Sequence, residues 1–187
     1  MGRSFQVRHQ GPGPASNWLI QGKLLVGECP LSSQESQLIF KQGIDTFISL
    51  LDDVDHRTHI TRKAYLAATE DALGIQTIWV PIPDGDVTTD KVAFKLAHDI
   101  VDFLQRGGKA YLHCWGGHGR AGTIGAMTVG LWNGWNLSET LCFLQKSHKT
   151  RKEGGEIDTP QSIPQVQQIA RFFKANAKKF GRARSLS

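Results

Sequence analysis

The stretch KAYLHCWGGHGRAGTIGAMTVGLWN, residues 109–133, decides the fold of this chain. Its first six residues, KAYLHC, have the length and apolar density of a buried β-strand. Three of the five residues between Cys114 and Arg120 are glycines, which predicts a tight turn. The apolar segment over residues 121–133 then predicts a buried helix. A strand that runs through such a turn into a helix belongs to a βαβ unit, so this stretch predicts an α/β domain.

Strand and helix patterns alternate on both sides of this unit. Short apolar runs predict strands over residues 23–28, 44–51 and 75–82. Amphipathic or capped segments predict helices over residues 32–43, 58–73, 88–108, 137–147 and 160–177. Because strands alternate with helices, we predict a central, mostly parallel sheet of four to five strands with helices on both faces.

The length and composition fit one globular domain. The chain has 187 residues, of which 40% are hydrophobic and 21% charged, and this composition excludes disordered, collagen-like and coiled-coil chains. No apolar run approaches the roughly 20 residues of a membrane-spanning helix, so we expect no stable membrane anchor. We expect a flexible arm over residues 1–16, a domain over residues 17–175 and a basic tail over residues 176–187.

Charge and cysteine content limit the partners and the location. The net charge of +5 owes much to the basic tail, which we expect to be solvated rather than bound to nucleic acid. Cys29, Cys114 and Cys142 form no C-x-x-C pair and no even disulfide set, which favours the cytoplasm, with the nucleus as an alternative. Cys142 is predicted to lie in the core. His56 and His59 have no obvious third ligand, so we expect no metal site.

The glycine-rich loop (residues 114–119) is a predicted anion site. Its glycines let the backbone curl so that successive N–H groups converge on one point, and the following helix adds the positive end of its dipole. Arg120 can donate two parallel hydrogen bonds to a phosphate group and stays charged. These donors favour the thiolate of Cys114, a nucleophile able to attack phosphorus. The alternative is a buried structural cysteine beside an unrelated helix cap.

A candidate proton donor lies at the end of another predicted strand. The segment PIPDGDVTTD, residues 81–90, places Asp84 and Asp86 on a loop with proline and glycine. Ligands of such sheets bind beyond the carboxyl ends of the strands, so we expect this segment and the glycine-rich loop to meet. We predict that Asp84, which is nearer to the strand end, protonates the leaving group, with Asp86 as the alternative. An aspartate in an ordinary turn is the competing interpretation.

These motifs resemble a known family. The segment HCWGGHGRAGT, residues 113–123, matches the H-C-x5-R signature of the cysteine-dependent protein tyrosine phosphatases. The short chain and its P-I-x-D segment resemble the dual-specificity branch of that family. NWLIQGKLLVGECP (residues 17–30) and DTPQSIPQVQQIARF (residues 158–172) are similar to the opening and closing segments of a compact dual-specificity-like group. The resemblance covers residues 17–172.

The resemblance implies a mechanism and a set of roles. Cys114 is then the nucleophile, Arg120 the phosphate clamp, and Asp84 the general acid and later the base. His113 tunes the thiolate through hydrogen bonds, and Gln165 positions the hydrolytic water. The residues that bind phosphate together with Arg120 are Trp115, Gly116, Gly117, His118 and Gly119. The implied reaction is hydrolysis of phosphate monoesters through a phosphocysteine intermediate, without a metal or cofactor.

The loop sequence also bears on turnover and substrate. The family usually has Ser or Thr directly after the arginine, whereas this chain has Ala121, and Thr123 lies on a different helix face. We therefore expect slow breakdown of the phosphocysteine, and a phosphoprotein-binding pseudophosphatase is an alternative. No lysine stands between Cys114 and Arg120, which disfavours the other alternative, an inositol or lipid phosphatase. We expect phosphotyrosine, phosphoserine and phosphothreonine proteins as substrates of a monomeric enzyme.

Three aromatic side chains near the two loops have open roles. Trp79 and Trp115 are placed to flank a substrate ring, with core packing as the competing interpretation. His118 either faces solvent or adds a titratable donor beside the phosphate. Sulfur transfer and arsenate reduction also use a cysteine in such a loop, but the acid segment that precedes the glycine-rich loop favours a phosphatase.

Overall fold

The sheet has five strands and is mostly parallel. The structure, a computed structural model, describes residues 8–53, 61–71 and 73–177. The strands are β1 (Ser16–Ile20), β2 (Leu24–Gly27), β3 (Thr46–Ser49), β4 (Gln76–Trp79) and β5 (Ala110–His113). Their spatial order is β1-β2-β5-β3-β4, with β1 antiparallel to β2 and every other pair parallel. The predicted α/β fold with a mostly parallel sheet of four to five strands is confirmed.

Helices cover both faces of this sheet, as predicted. They are α1 (Ser33–Phe40), α2 (Arg62–Leu66), α3 (Asp90–Gln105), α4 (Arg120–Asn133), α5 (Leu137–His148) and α6 (Ile163–Ala175), and a π-helical turn (Ala67–Asp71) continues α2. Helices α3 to α6 pack on the face that presents Leu24, Ile48 and Leu112. The opposite face, with Phe47 and Tyr111, packs against α1 and α2. Alternating strand residues therefore supply two separate cores.

Local capping chemistry sets where the helices begin. Ser32 accepts a hydrogen bond from the Glu35 backbone N–H, and the Glu35 carboxylate accepts one from the Ser32 backbone in return. Thr89 caps α3 by accepting from the N–H of Val92. Such side-chain acceptors satisfy amide donors that the first helical turn leaves unpaired, so they fix the starting residue.

The apolar pattern of the sequence does not predict strand β1. This strand begins with the polar residues Ser16 and Asn17, so only three of its five residues are apolar, yet all five are buried. Part of the predicted arm also packs on the domain, since His9 is buried and its Nδ1 lies 2.7 Å from the Trp18 carbonyl oxygen. Several predictions fall outside the described residues. They concern residues 1–7 of the predicted arm, the pair His56 and His59, residues 58–60 of a predicted helix, and the tail beyond residue 177. Within the ranges that the structure describes, no helix has the length and apolarity to cross a membrane.

Candidate active site

The carboxyl ends of the parallel strands bring the predicted site residues together. In the sheet register, Gly27 and Ser49 both lie opposite His113, and Trp79 lies opposite Ser49, so the loops that follow these strands leave from one edge. A cavity of about 220 Å³ opens there. The glycine-rich loop and α4 contribute Cys114, Trp115, Gly116, His118, Gly119 and Arg120 to its wall. Asp84 and Gly85 line it from the end of β4, and Ile157, Gln161 and Gln165 line it from the segment around the start of α6.

The glycine-rich loop is polarised by its hydrogen bonds. All six of its carbonyl oxygens accept hydrogen bonds from the protein. The Cys114 carbonyl accepts from the His113 ring (3.4 Å), that of Trp115 from the Cys29 N–H (2.8 Å), and those of Gly116 and Gly117 from the Arg151 guanidinium (3.2 and 3.1 Å). The His118 carbonyl accepts from the Thr159 hydroxyl (2.8 Å), and that of Gly119 accepts from the Thr123 N–H (2.9 Å). Among the described residues, by contrast, none accepts from a backbone N–H of residues 115–119. The donors of the loop thus remain available for an anion, which is the arrangement that a phosphate cradle needs.

Two glycines of the loop are so closely packed that a Cβ at either position would press on a neighbouring residue. Gly117 has φ of +73°, and a Cβ built there would lie 2.3 Å from the Gly27 carbonyl carbon. A Cβ on Gly119 would lie 2.8 Å from Nε2 of Gln165. The loop therefore depends on glycine at residue 117 for its backbone conformation and its packing against β2, whereas a side chain at residue 119 would displace the Gln165 amide.

Arg120 is buried, and the segments that follow β3 and β4 orient it. Its Nη1 donates to the carbonyl oxygens of Ile82 (2.9 Å) and Leu50 (3.3 Å), and its Nη2 donates to Oδ1 of Asp84 (2.9 Å). The Asp84 side chain is 41% exposed, whereas that of Arg120 is 1% exposed. Asp84 therefore stands between the fixed guanidinium and solvent, and a phosphate group would compete with it for Nη2.

His113 acts on the backbone of Cys114. The ring is fully buried, with Nε2 2.6 Å from the Tyr65 hydroxyl and Nδ1 3.4 Å from the Cys114 carbonyl oxygen. Burial lowers the pKa of His113 to about 3, and burial also raises the pKa of Tyr65, so both groups are neutral at pH 7. Because the Cys114 carbonyl oxygen can only accept, the ring proton lies on Nδ1, and Nε2 accepts from the Tyr65 hydroxyl. The hydrogen bond that the resemblance assigns to His113 is thus made to a backbone carbonyl.

Gln165 and Asp86 meet at the rim of the cavity. Gln165 is buried at the start of α6, where its Oε1 accepts from the N–H groups of Gln161 (3.0 Å) and Ser162 (3.2 Å). Its Nε2 donates to the Asp86 carbonyl oxygen at 3.3 Å. The Asp86 carboxylate instead accepts from the N–H of Val87 (2.8 Å) in a local turn. Of the two aspartates, Asp84 is the one that lines the cavity.

Of the other aromatic candidates, Trp115 and His118 line the cavity and Trp79 does not. Trp115 lines the cavity, whereas Trp79 packs edge-on against Tyr65, with ring centroids 5.5 Å apart. His118 also lines the cavity, and its Nδ1 lies 3.0 Å from Nε2 of His148. Burial lowers the pKa of His118 to about 4 and that of His148 to about 3, so neither ring carries a charge at neutral pH.

Arg151 contacts the glycine-rich loop, and no pattern in the sequence predicts this role. This residue is 6% exposed, and its guanidinium donates to Asn17 Oδ1 (2.7 Å) and the Val26 carbonyl oxygen (3.4 Å) as well as to Gly116 and Gly117. Burial lowers the pKa of Arg151 to about 10, at which the group is still charged at pH 7. In the sequence it lies in KSHKTRKEGG, among three lysines, and nothing there marks Arg151 as the buried cation.

The thiols and hydroxyls near the loop have definite places. Ala121 is fully buried, and the Thr123 hydroxyl donates to the Gly119 carbonyl at 2.8 Å, so Thr123 does not supply the hydroxyl that Ala121 lacks. Cys29, Cys114 and Cys142 are free thiols. Cys142 is exposed on α5, so its predicted core position is wrong, because it projects from the helix face opposite to buried Leu144.

The comparisons with known proteins agree with this geometry. The family described as "Swiss Army Knife protein, DSP-PTPase phosphatase domain" matches residues 14–156. No curated protein sequence matches this chain. Tk-PTP in its active form has a similar structure, with a TM-score of 0.67 at 20% identity over 86% of this chain and 97% of that chain. PTPMT1 in complex with PI(5)P has a TM-score of 0.66 at 18% identity, over 90% of this chain and 98% of that chain. TpbA of P. aeruginosa has a TM-score of 0.62 at 18% identity, over 90% of this chain and 96% of that chain. At these identities the structures establish a shared fold.

Proposed function

Because the chain belongs to the DSP-PTPase phosphatase domain family, we propose that it hydrolyses phosphotyrosine, phosphoserine and phosphothreonine in proteins, without a metal. The observation that carries this proposal is the polarised glycine-rich loop. Its backbone N–H groups over residues 115–119 have no acceptor among the described residues, and the loop and Arg120 line the cavity that also contains Cys114. Such fixed donors stabilise the equatorial oxygens of a phosphoryl group as it is transferred.

In the first step the Cys114 thiolate attacks phosphorus and the bond to the leaving oxygen breaks. Asp84, at the cavity rim, donates a proton to that oxygen, so the product leaves as a neutral alcohol or phenol. The loop donors hold the phosphoryl group, and Arg120 gives up its contact with Asp84 to bind two of the phosphoryl oxygens. The step ends with a phosphocysteine, and the dephosphorylated product departs.

In the second step a water molecule attacks the phosphocysteine. Asp84, now ionised, accepts a proton from this water, and the bond between sulfur and phosphorus breaks to give inorganic phosphate and the Cys114 thiolate. Gln165 lines the cavity beside Gly119; its Oε1 accepts from the start of α6, and its Nε2 donates to the Asp86 carbonyl oxygen at 3.3 Å, in the loop that carries Asp84. We propose that this amide orients the attacking water.

The charge of the cavity wall favours a single phosphate group as the ligand. Among the described residues that line it, Arg120 is the one charged cation, because His118 is neutral at pH 7. A polyphosphorylated inositol headgroup would need further cations for its additional phosphates. PI(5)P, the ligand of the PTPMT1 complex, is the lipid against which protein substrates of this chain are to be compared. The reaction also needs a reduced thiol, which fits an enzyme of the cytoplasm. We further propose that the enzyme acts as a monomer.

Ala121 supports a second candidate, a phosphoprotein-binding module with little turnover. The site would then keep the cradle and Arg120, while the phosphocysteine, once formed, would break down too slowly for catalysis. This candidate predicts binding of oxyanions and a stoichiometric burst without sustained turnover.

The test is hydrolysis of para-nitrophenyl phosphate in EDTA by the wild type and by Cys114→Ser. We expect sustained turnover in the wild type and none in the variant. Matched phosphotyrosine, phosphoserine and phosphothreonine peptides then rank the substrates, with PI(5)P vesicles as the lipid comparison. Turnover of PI(5)P at a kcat/KM above that of every peptide would contradict the protein substrate. Oxyanion binding without turnover would select the second candidate.

A further inference from the structure

A charged arginine lies buried beneath the glycine-rich loop, outside the cavity. Arg151 is not among the residues that line the cavity, yet it hydrogen-bonds to two consecutive loop carbonyls, Gly116 and Gly117. Removing a guanidinium from water is costly unless its donors are satisfied, and four of them find acceptors here. Those acceptors lie on β1, on β2 and on the loop, so the side chain joins the loop to the sheet.

Nothing in the loop's own sequence fixes the orientation of these peptide planes. Gly116 and Gly117 lack the Cβ that restricts other residues, and Gly117 already occupies a left-handed conformation, with φ of +73°. If either plane rotated, a carbonyl oxygen would replace an N–H group at the cavity wall. The negative end of that dipole would then face the phosphate, and an anion site would lose one donor and gain one repulsive group.

We propose that Arg151 is the positioning residue that keeps the N–H groups of the glycine-rich loop directed into the cavity. It does so by holding the carbonyls of Gly116 and Gly117 on the opposite side, while Asn17 fixes its own Nε. The positive charge of Arg151 adds to the field at Cys114 from behind the loop, since the two groups are close enough to interact electrostatically. Arg151 acts through the backbone and does not touch the substrate.

The test compares Arg151→Met and Arg151→Lys with the control Arg171→Met. Arg171 is another arginine with two hydrogen bonds to a partner, Asp90, but it lies on the exposed side of α6. The probe is tungstate, an oxyanion that tests the loop donors directly, titrated calorimetrically into each folded protein. We expect Arg151→Met to raise the tungstate Kd at least about tenfold and Arg151→Lys to raise it less, because lysine keeps the charge but lacks the fork. Arg171→Met should bind tungstate as the wild type does.

A second readout separates positioning from general support of the fold. A positioning role predicts that kcat/KM for para-nitrophenyl phosphate falls with the tungstate affinity in samples whose circular dichroism and unfolding transition show a folded protein. If Arg151→Met does not fold, Asn17→Ala releases one anchor of the arginine and should raise the tungstate Kd about threefold. Wild-type tungstate affinity in folded Arg151→Met, or in Asn17→Ala if the first variant is unfolded, would overturn the proposal. Only the kinetic readout rests on the proposed function. If the protein showed no turnover, the tungstate Kd of the variants would still test the role of Arg151.

Discussion

The glycine-rich loop and the Asp84 loop (residues 83–87) follow parallel strands at the same edge of the sheet, yet they are held very differently. Each contains a glycine with positive φ, Gly117 at +73° and Gly85 at +76°. Every carbonyl of the glycine-rich loop is engaged by the protein. The Asp84 loop is exposed over residues 83–86. Among the described residues, its backbone is held by two bonds within the loop, from the Asp86 N–H to Pro83 and from the Val87 N–H to the Asp86 carboxylate, and by one bond from Gln165.

This contrast follows from what each loop has to do. Donors that stabilise a transferring phosphoryl group are effective only if they are aligned before the reaction, so the protein fixes them. The acid must leave Arg120 when phosphate arrives and must reach the leaving oxygens of tyrosine, serine and threonine, so a loosely held loop suits it. The two loops therefore divide binding and proton transfer between a fixed element and an adaptable one.

The largest effect is expected from removing the carboxylate of the adaptable loop. Asp84→Ala should lower kcat by roughly 100-fold or more, since general acid catalysis contributes on that order, while Asp86→Ala should change it less than about threefold. Because Arg120 loses its intramolecular partner, Asp84→Ala should bind tungstate at least as tightly as the wild type. Stopped-flow and steady-state assays with para-nitrophenyl phosphate measure the first effect and calorimetry the second. Equal losses in the two variants would refute the assignment of the acid.

A matched pair of glycine substitutions tests how tightly the two loops are held. Gly85→Ala should cost about 1–2 kcal/mol of unfolding free energy, because alanine is disfavoured at positive φ but a Cβ there meets no atom within 4 Å. Gly117→Ala adds a contact of 2.3 Å with the Gly27 backbone and should cost about 2–5 kcal/mol and weaken tungstate binding. Urea denaturation of both variants checks the difference. Similar losses would mean that the two loops are equally constrained.

Acid should destabilise the buried side of the glycine-rich loop. The pKa of His113 is about 3 in the folded protein and near 6.5 in the unfolded chain, so the unfolded state binds more protons below pH 6.5. The unfolding free energy should therefore fall as the pH is lowered from 7 to 5, by about 2 kcal/mol from this residue. His113→Asn should remove that part of the slope in urea denaturation at the two pH values. An unchanged slope would show that His113 is not buried as a neutral ring.

The smallest effect concerns the residue that follows Arg120. Ala121→Ser restores the hydroxyl that the family usually has there, and we expect breakdown of the phosphocysteine to become about three- to tenfold faster. In the wild type the slow second step should appear as a burst of nitrophenol before the steady state. The variant should show a smaller burst and a higher steady-state rate. A wild type without a burst would contradict slow breakdown.

Local patterns predicted the parts of the site that lie close together in the sequence. Cys114, the glycines and Arg120 occupy one βα turn, and Asp84 comes soon after the apolar run over residues 75–82 that contains β4. Arg151 was missed because its contacts span 35 residues to Gly116 and 134 residues to Asn17. No periodicity or cap in its neighbourhood reports such contacts. Strand β1 was missed for a related reason, since buried Asn17 looks like a loop residue until its partner Arg151 is known.

The most direct test of the central claim is to trap the phosphoenzyme. Wild-type protein and Cys114→Ser are mixed with a ³²P-labelled phosphotyrosine peptide, quenched within milliseconds and examined for label on the protein. We predict label on a peptide containing Cys114 in the wild type during turnover, lost on mild acid treatment as an S–P bond requires, and none in Cys114→Ser. Turnover of the peptide by the wild type without any labelled protein at the earliest quench times would contradict a phosphocysteine held in the glycine-rich loop.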